Sequence, residues 1–350
     1  MCIRDRLNGR NRHRAEGQLS LSSLTGQHGV MQVRMDLRDE DGLLNKGRVW
    51  LQADDIDVKP WLGRWMQDNI ALKSARFSLE GWMTIEKGDV ASGDVWLKKG
   101  GASWQGDNEV HHLSVDNLTA HLSHDKQSWA FYIPDTRIAI DDKPWPSGAL
   151  AMAWIPAQDV GGDDRQRSDE LRIRASNLAL SGLSGLQPFA DKLAPSLGEL
   201  WRTTQPGGKI NLLALDIPLQ ATEKTRFQAQ WSDLAWKQWK LLPGAEHFSG
   251  SLNGSVEHGE LRAHMAKALM PYAGVFRAPL EIAAGEATLS WVKNDKGFML
   301  DGRDIDVQAT GVRARGGFRY LQPQGDDPWL GILAGISTND GGQALSLIHI

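Results

Sequence analysis

The chain of 350 residues carries 39 Lys and Arg against 43 Asp and Glu, a net charge of -4, and 41% of it is hydrophobic. That balance lacks the basic excess of a nucleic-acid binder, and the single cysteine, Cys2, excludes an internal disulfide framework or a thiolate metal site. No apolar run approaches the roughly 20 residues that cross a bilayer as a helix.

Both ends are foreign to what they flank. Met1-Cys2-Ile3-Arg4-Asp5-Arg6 and Leu345-Ser346-Leu347-Ile348-His349-Ile350 read as translated adapter sequence. Residues 1–14 and 345–350 are therefore expected as non-native or disordered ends, and the rest as an internal piece of a longer protein. Between them, alternation with period two dominates, the mark of strands with one apolar and one wet face. Met31, Val33, Met35 and Leu37 open the series. Residues 60–72 interrupt it, with Trp61, Leu62, Trp65, Met66 and Ile70 at helical spacing after Pro60. Phe77, Leu79, Met83 and Ile85 then alternate with Ser78, Glu80 and Thr84. A hairpin is expected around Asp116-Asn117. Residues 184–204 carry Leu186, Phe189, Leu193, Leu197 and Leu200 on one face, broken by Pro188 and Pro195, so one broken helix or two short ones are expected. Leu213, Leu215, Ile217 and Leu219 resume the strand pattern, as do Phe248, Leu252 and Val256, with a hairpin over 250–265. Lys87-Gly88, Lys99-Gly100-Gly101, Asn253-Gly254, His258-Gly259 and Lys296-Gly297 read as turns. The expected organisation is a β-repeat segment over 15–183, a helical insert over 184–207 and a second β-repeat segment over 208–344.

One phrase recurs: apolar positions in alternation, then Asp or Asn, then alternation slipped by one residue. Its centres are Asp55, Asn117, Asn177, Asp233 and Asp304, a period of roughly 60 residues. A slip of one residue exchanges the faces of a strand, so each centre predicts a β-bulge or a tight turn. Such a repeat implies a quasi-one-dimensional array in which each unit packs on its neighbours.

Groups with chemical potential are scattered. His111, His112, His121 and His124 are close in sequence, but strand geometry puts His112 and His121 on the polar side with Ser114 and Ser123, and solvent-facing histidines are expected rather than a metal site. There is no Gly-rich phosphate loop, no G-x-S-x-G and no H-E-x-x-H. Neither an enzyme nor a cofactor is expected. The chain holds 15 tryptophans, suited either to packing or to contact with lipid or carbohydrate.

Three stretches carry a resemblance to a known family: 47–53 (Gly-Arg-Val-Trp-Leu-Gln-Ala) through Trp61, 248–254 (Phe-Ser-Gly-Ser-Leu-Asn-Gly), and 278–282 (Ala-Pro-Leu-Glu-Ile) through 316–320 (Gly-Gly-Phe-Arg-Tyr). In order and spacing the chain resembles the AsmA-like proteins of Gram-negative bacteria over residues 15–344. The resemblance implies a mainly β fold, an elongated, curled antiparallel trough with short helical inserts. It also implies a bridge-like lipid-transfer function: phospholipid as cargo, a periplasmic location, an inner-membrane anchor outside this fragment, and no catalytic motif.

Physical reasoning runs the same way. A greasy sheet face must close on itself or shelter another apolar molecule, and hydrocarbon burial contributes roughly 0.8 kcal/mol per CH₂. Met35, Phe77, Leu79, Met83, Ile85, Leu215, Ile217, Leu252 and Val256 are the residues expected to line an acyl-chain track. Two alternatives remain at this point: a scaffolding β-array with a closed core, and a carbohydrate-binding β protein using its tryptophans.

Overall fold

The computed structural model describes residues 2–7, 12–20, 29–40, 43–61, 71–106, 109–125, 127–157, 169–187, 191, 195–240, 242–273 and 278–338. The chain divides into two compact units, residues 1–156 with 182–195, and residues 157–181 with 196–350.

The first unit is an antiparallel meander. Strands β1 (Cys2–Leu7), β2 (Arg12–Ser20), β3 (Val30–Glu40), β4 (Leu43–Asp57), β5 (Leu72–Glu86), β6 (Asp89–Gln105) and β7 (Val110–Asp125) each pair with the next. One half of β7 then pairs with β8 (Ser128–Ile133) and the other with β9 (Ile138–Ile140). β9 pairs with β10 (Lys143–Pro144), and β8 with β11 (Leu150–Ile155). A 3-10 turn, Leu180–Leu186, contributes to this unit from Gly182 onward.

The second unit repeats the plan. β12 (Glu170–Ala179), β13 (Gly207–Pro218), β14 (Arg226–Trp236), β15 (Ala245–Ser255), β16 (His258–Met270), β17 (Leu280–Asn294), β18 (Gly297–Ala309), β19 (Val312–Pro323) and β20 (Trp329–Thr338) pair in succession, all antiparallel. Helix α1 (Pro195–Thr204) precedes β13. Among the described residues β1 pairs with β2 alone and β20 with β19 alone, so neither unit closes into a barrel. The mainly β, antiparallel architecture is the one expected.

The repeated phrase marks breaks in the strand alternation, and at Asp55, Asp233 and Asp304 the register shifts as in a β-bulge. Asp55, Asn117, Asn177, Asp233 and Asp304 all have left-handed backbone, with φ of 50°, 53°, 55°, 58° and 52°. Asp and Asn reach this region more readily than other residues with a Cβ because their short polar side chains bond locally. Each bulge brings the residue two before and the residue one after onto the same face. Ala53 and Ile56 thus face Leu79 and Phe77, and Trp231 and Leu234 face Gly250 and Phe248. The expected hairpin at Asp116-Asn117 is absent: β7 runs unbroken from Val110 to Asp125, with the left-handed Asn117 inside it. His247 (φ 57°) and Lys267 (φ 55°) make equivalent bulges in β15 and β16 without the Asp/Asn signal.

Turn chemistry was legible in part. Lys87 and Gly88, with φ of 54° and 81°, form the two-residue turn between β5 and β6. Lys99-Gly100-Gly101, Asn253-Gly254 and His258-Gly259 lie inside β6, β15 and β16. Of the helix expected over 60–72, a 3-10 turn at Lys59–Trp61 is present and residues 62–70 lie outside the described residues.

Candidate functional site

Direct partners across an antiparallel pair project to the same face of the sheet. Chaining the partners gives rows that cross the strands. In the first unit, Met35 faces Val49, Val49 faces Met83, Met83 faces Gly93, Gly93 faces Leu122, Leu122 faces Phe131, and Phe131 faces Met152. A parallel row runs Met31, Ala53, Leu79, Leu97, Leu118. No polar side chain interrupts either row.

The second unit has two such rows. One runs Ile173, Leu215, Phe227, Gly254, Gly259, Trp291, Leu300, Tyr320, Leu330. The other runs Ala175, Leu213, Ala229, Leu252, Leu261, Leu289, Gly302, Phe318, Ile332. The apolar face is therefore continuous across β12–β20, perpendicular to the strands.

The residues singled out from sequence fall as follows. Met35, Met83 and Leu79 stand in the rows of the first unit, and Ile85, opposite Gly47 and Val90, extends the same face. Phe77 lies opposite Ile56 and Gly100, beside the bulges. Leu215 and Leu252 stand in the rows of the second unit. Ile217 pairs with Leu171 near the end of β13. Val256 lies in the turn between β15 and β16 and is 44% exposed.

Burial divides this face into two lanes. Beside the bulges the packing is dense. Trp104 is 2% exposed, its Nε1–H donates to the carbonyl of Gly185 at 2.8 Å, and Leu186 packs on Leu72, Ala75 and Trp104. Met265, Ala268 and Ile282 form the matching cluster of the second unit. Away from the bulges, Met35, Val49, Met83, Leu122 and Phe131 are only half-buried, as are Leu213, Leu252, Leu261, Leu289 and Phe318. A half-buried lane with no polar interruption can hold an alkyl chain against side chains along its whole length.

Glycines in the strands shape this face; sequence reasoning took Gly100 and Gly259 for turns, placed Gly250 in a strand and did not single out Gly302. Gly100, Gly250, Gly259 and Gly302 lie directly opposite Phe77, Trp231, Trp291 and Phe318; the ring fills the space of the missing Cβ at Gly259 and Gly302, and shares it with the carbonyl of Arg76 at Gly100 and of Arg262 at Gly250. An isolated Gly inside a strand pattern is the signal that marks such a close approach.

The opposite face is polar and ion-paired. Arg12 and Arg14 both reach Asp36, and Arg12 Nε donates to Asp36 Oδ1 at 2.6 Å. The Arg12 hydrogen bond holds the Asp36 carboxyl down to about 2. Asp306 is held to about 2 in the same way, first by Arg313, with Arg315 adding to it. Trp50 and Trp82 pair on this face, where Trp50 Nε1–H donates to Glu80 at 3.0 Å. His121, beside Asp94, is on the polar face, whereas His124 stacks on Trp129 on the apolar one. The two histidines thus point to opposite sides and cannot share a ligand.

No solved structure matches the chain. Its sequence matches the family described as YhdP protein over residues 6–346. It is 74% identical over 338 residues to the intermembrane phospholipid transporter YhdP of Escherichia coli (strain K12), covering 97% of this chain and 27% of that relative. The chain thus spans about a quarter of the length of the curated relative it matches.

Proposed function

Because the chain belongs to the YhdP family, we propose that it is the part of a bridge-like phospholipid transporter that shelters acyl chains between the inner and outer membranes. In this reading the whole protein works in the periplasm from an inner-membrane anchor. The observation that carries the proposal is the pair of uninterrupted apolar rows across β12–β20, matched by the Met35–Met152 and Met31–Leu118 rows of the first unit. Each methylene laid against them gains roughly 0.8 kcal/mol, while the zwitterionic or anionic headgroup stays in water. Successive sites along a row are chemically alike, so a lipid moves between them with little change in free energy. Movement along the row then needs no chemistry at the protein. The Escherichia coli relative, an intermembrane phospholipid transporter, supports the same cargo.

A closed scaffolding array is disfavoured by the half-buried lane. The test is extraction of the purified full-length protein followed by lipid mass spectrometry. Co-purifying phospholipid at a fixed ratio is the expected result. Lipid-free protein carrying a dry, fully protected apolar face would favour the scaffold.

A further inference from the structure

The glycine–aromatic pairs do more than fill space. β14 and β17 are three strand spacings apart, about 14 Å. Yet the rings of Phe227 and Trp291, carried on those two strands, have centroids 6.2 Å apart and planes within 19°. Between them in the row stand Gly254 and Gly259. The two side chains therefore lean toward each other across the glycine pair, and the ring of Trp291 fills the space beside Gly259. Trp231 and Phe248 repeat the near-parallel arrangement, at 6.0 Å and 25°, with Trp231 resting on Gly250. At Gly302 the three atoms nearest the missing Cβ all belong to the ring of Phe318, with Cδ1 at 2.6 Å and Cζ at 3.0 Å.

Resting on the acyl-chain reading above, we propose that these rings, seated flat on glycines, form the floor over which the hydrocarbon slides. The glycines are then specificity-determining positions that set the clearance of the track. A ring standing upright would cross the lane, whereas a ring lying down presents a level apolar face. Backbone conformation does not demand glycine at Gly302, whose φ is outside the left-handed region. The residue is needed there because only a hydrogen leaves room for the ring.

The test uses the purified full-length protein with a photoreactive residue in place of Leu289, the partner of Gly302, and vesicles of dioleoylphosphatidylcholine. Wild-type protein crosslinks the lipid. Gly302→Ala lifts the Phe318 ring, and crosslinked lipid falls about tenfold, the occupancy lost with two methylenes' worth of contact. Gly302→Ala/Phe318→Ala returns it to within about twofold of wild type, since the obstruction is gone. Phe318→Ala alone uncovers the glycine seat, and uptake from vesicles of methyl-branched diphytanoylphosphatidylcholine rises about fourfold, one methylene-sized step in clearance. Should Gly302→Ala fail to fold, the branched-lipid arm decides by itself. Unchanged crosslinking in Gly302→Ala, a double variant as poor as the single, or no gain with branched lipid overturns the ring floor while wild-type crosslinking keeps the acyl-chain reading intact. Absence of any lipid crosslink in the wild type overturns both.

Discussion

The backbone N–H of Asp55 donates to Oγ of Ser78 on the following strand at 2.9 Å, and the N–H of Asp233 donates to Ser249 Oγ in the same way at 3.2 Å. Each bulge is thus latched to its neighbour by a hydroxyl. The left-handed backbone at these positions suits Asp and Asn and opposes β-branched side chains. Asp55→Val should cost about 1–2 kcal/mol, and Asp55→Gly much less, because glycine meets no steric penalty at positive φ. Urea unfolding of the two variants side by side checks this. Equal losses would mean that the Arg76 ion pair of Asp55, not its backbone, is what matters.

The apolar lane should be sensitive to charge and the opposite face should not. Met83→Asp and Leu252→Asp place a carboxylate where an alkyl chain would lie, and each should lower lipid captured by the full-length protein by about tenfold or more. Photoreactive residues at Met83 should crosslink phospholipid. At Trp82, which points to the polar face, they should not. Crosslinks from Trp82 alone would reverse the assignment of faces.

The sealed lane should report on stability rather than transport. Trp104→Ala removes a side chain that is 2% exposed, and by analogy with other buried aromatics the loss is about 3–5 kcal/mol. Trp104→Phe keeps most of the volume but leaves the Gly185 carbonyl without the indole donor, at about 1–3 kcal/mol. Thermal unfolding separates the two. A Trp104→Phe variant as stable as wild type would show that the carbonyl finds another donor.

Acid should loosen the polar face in a defined window. Asp36 and Asp306 titrate at about 2 in the folded protein, below the usual 3.8, through their arginine hydrogen bonds. A depressed folded-state pKa binds fewer protons than the unfolded chain, so the stabilisation is full above pH 3.8 and is lost as pH falls through about 2. Asp306→Asn should flatten the pH dependence of stability in that interval and leave it unchanged near neutrality. A variant whose profile still falls like the wild type below pH 3.8 would place the acid sensitivity elsewhere.

Local pattern determined much of this protein. Alternation identified the strands because a pleated chain turns successive side chains to opposite faces. Asp55, Asn117, Asn177, Asp233 and Asp304 were legible as left-handed breaks in the strands because the slip in alternation and the residue type that tolerates it are written in the same few residues. Met35 and Met83 in the first unit, and Leu215 and Leu252 in the second, were legible as residues of an apolar face for the same reason. The bulges at His247 and Lys267 carry no such residue signature, and the run through Asp116-Asn117 looked like a hairpin because bulge and turn share their chemistry.

What remained required register. That Gly302 seats the ring of Phe318, or Gly259 that of Trp291, depends on which residue of one strand meets which residue of the next. The pairing between strands is long-range, and a shift of one residue would send every side chain to the other face. Likewise, only packing against Gly185 and Leu186, far away in sequence, divides the apolar face into a sealed lane and an open one. Sequence determined that there is a greasy face, because period and composition are local. Tertiary structure decided which part of it stays open and how level it is, because clearance is set by contacts between residues that the chain keeps far apart.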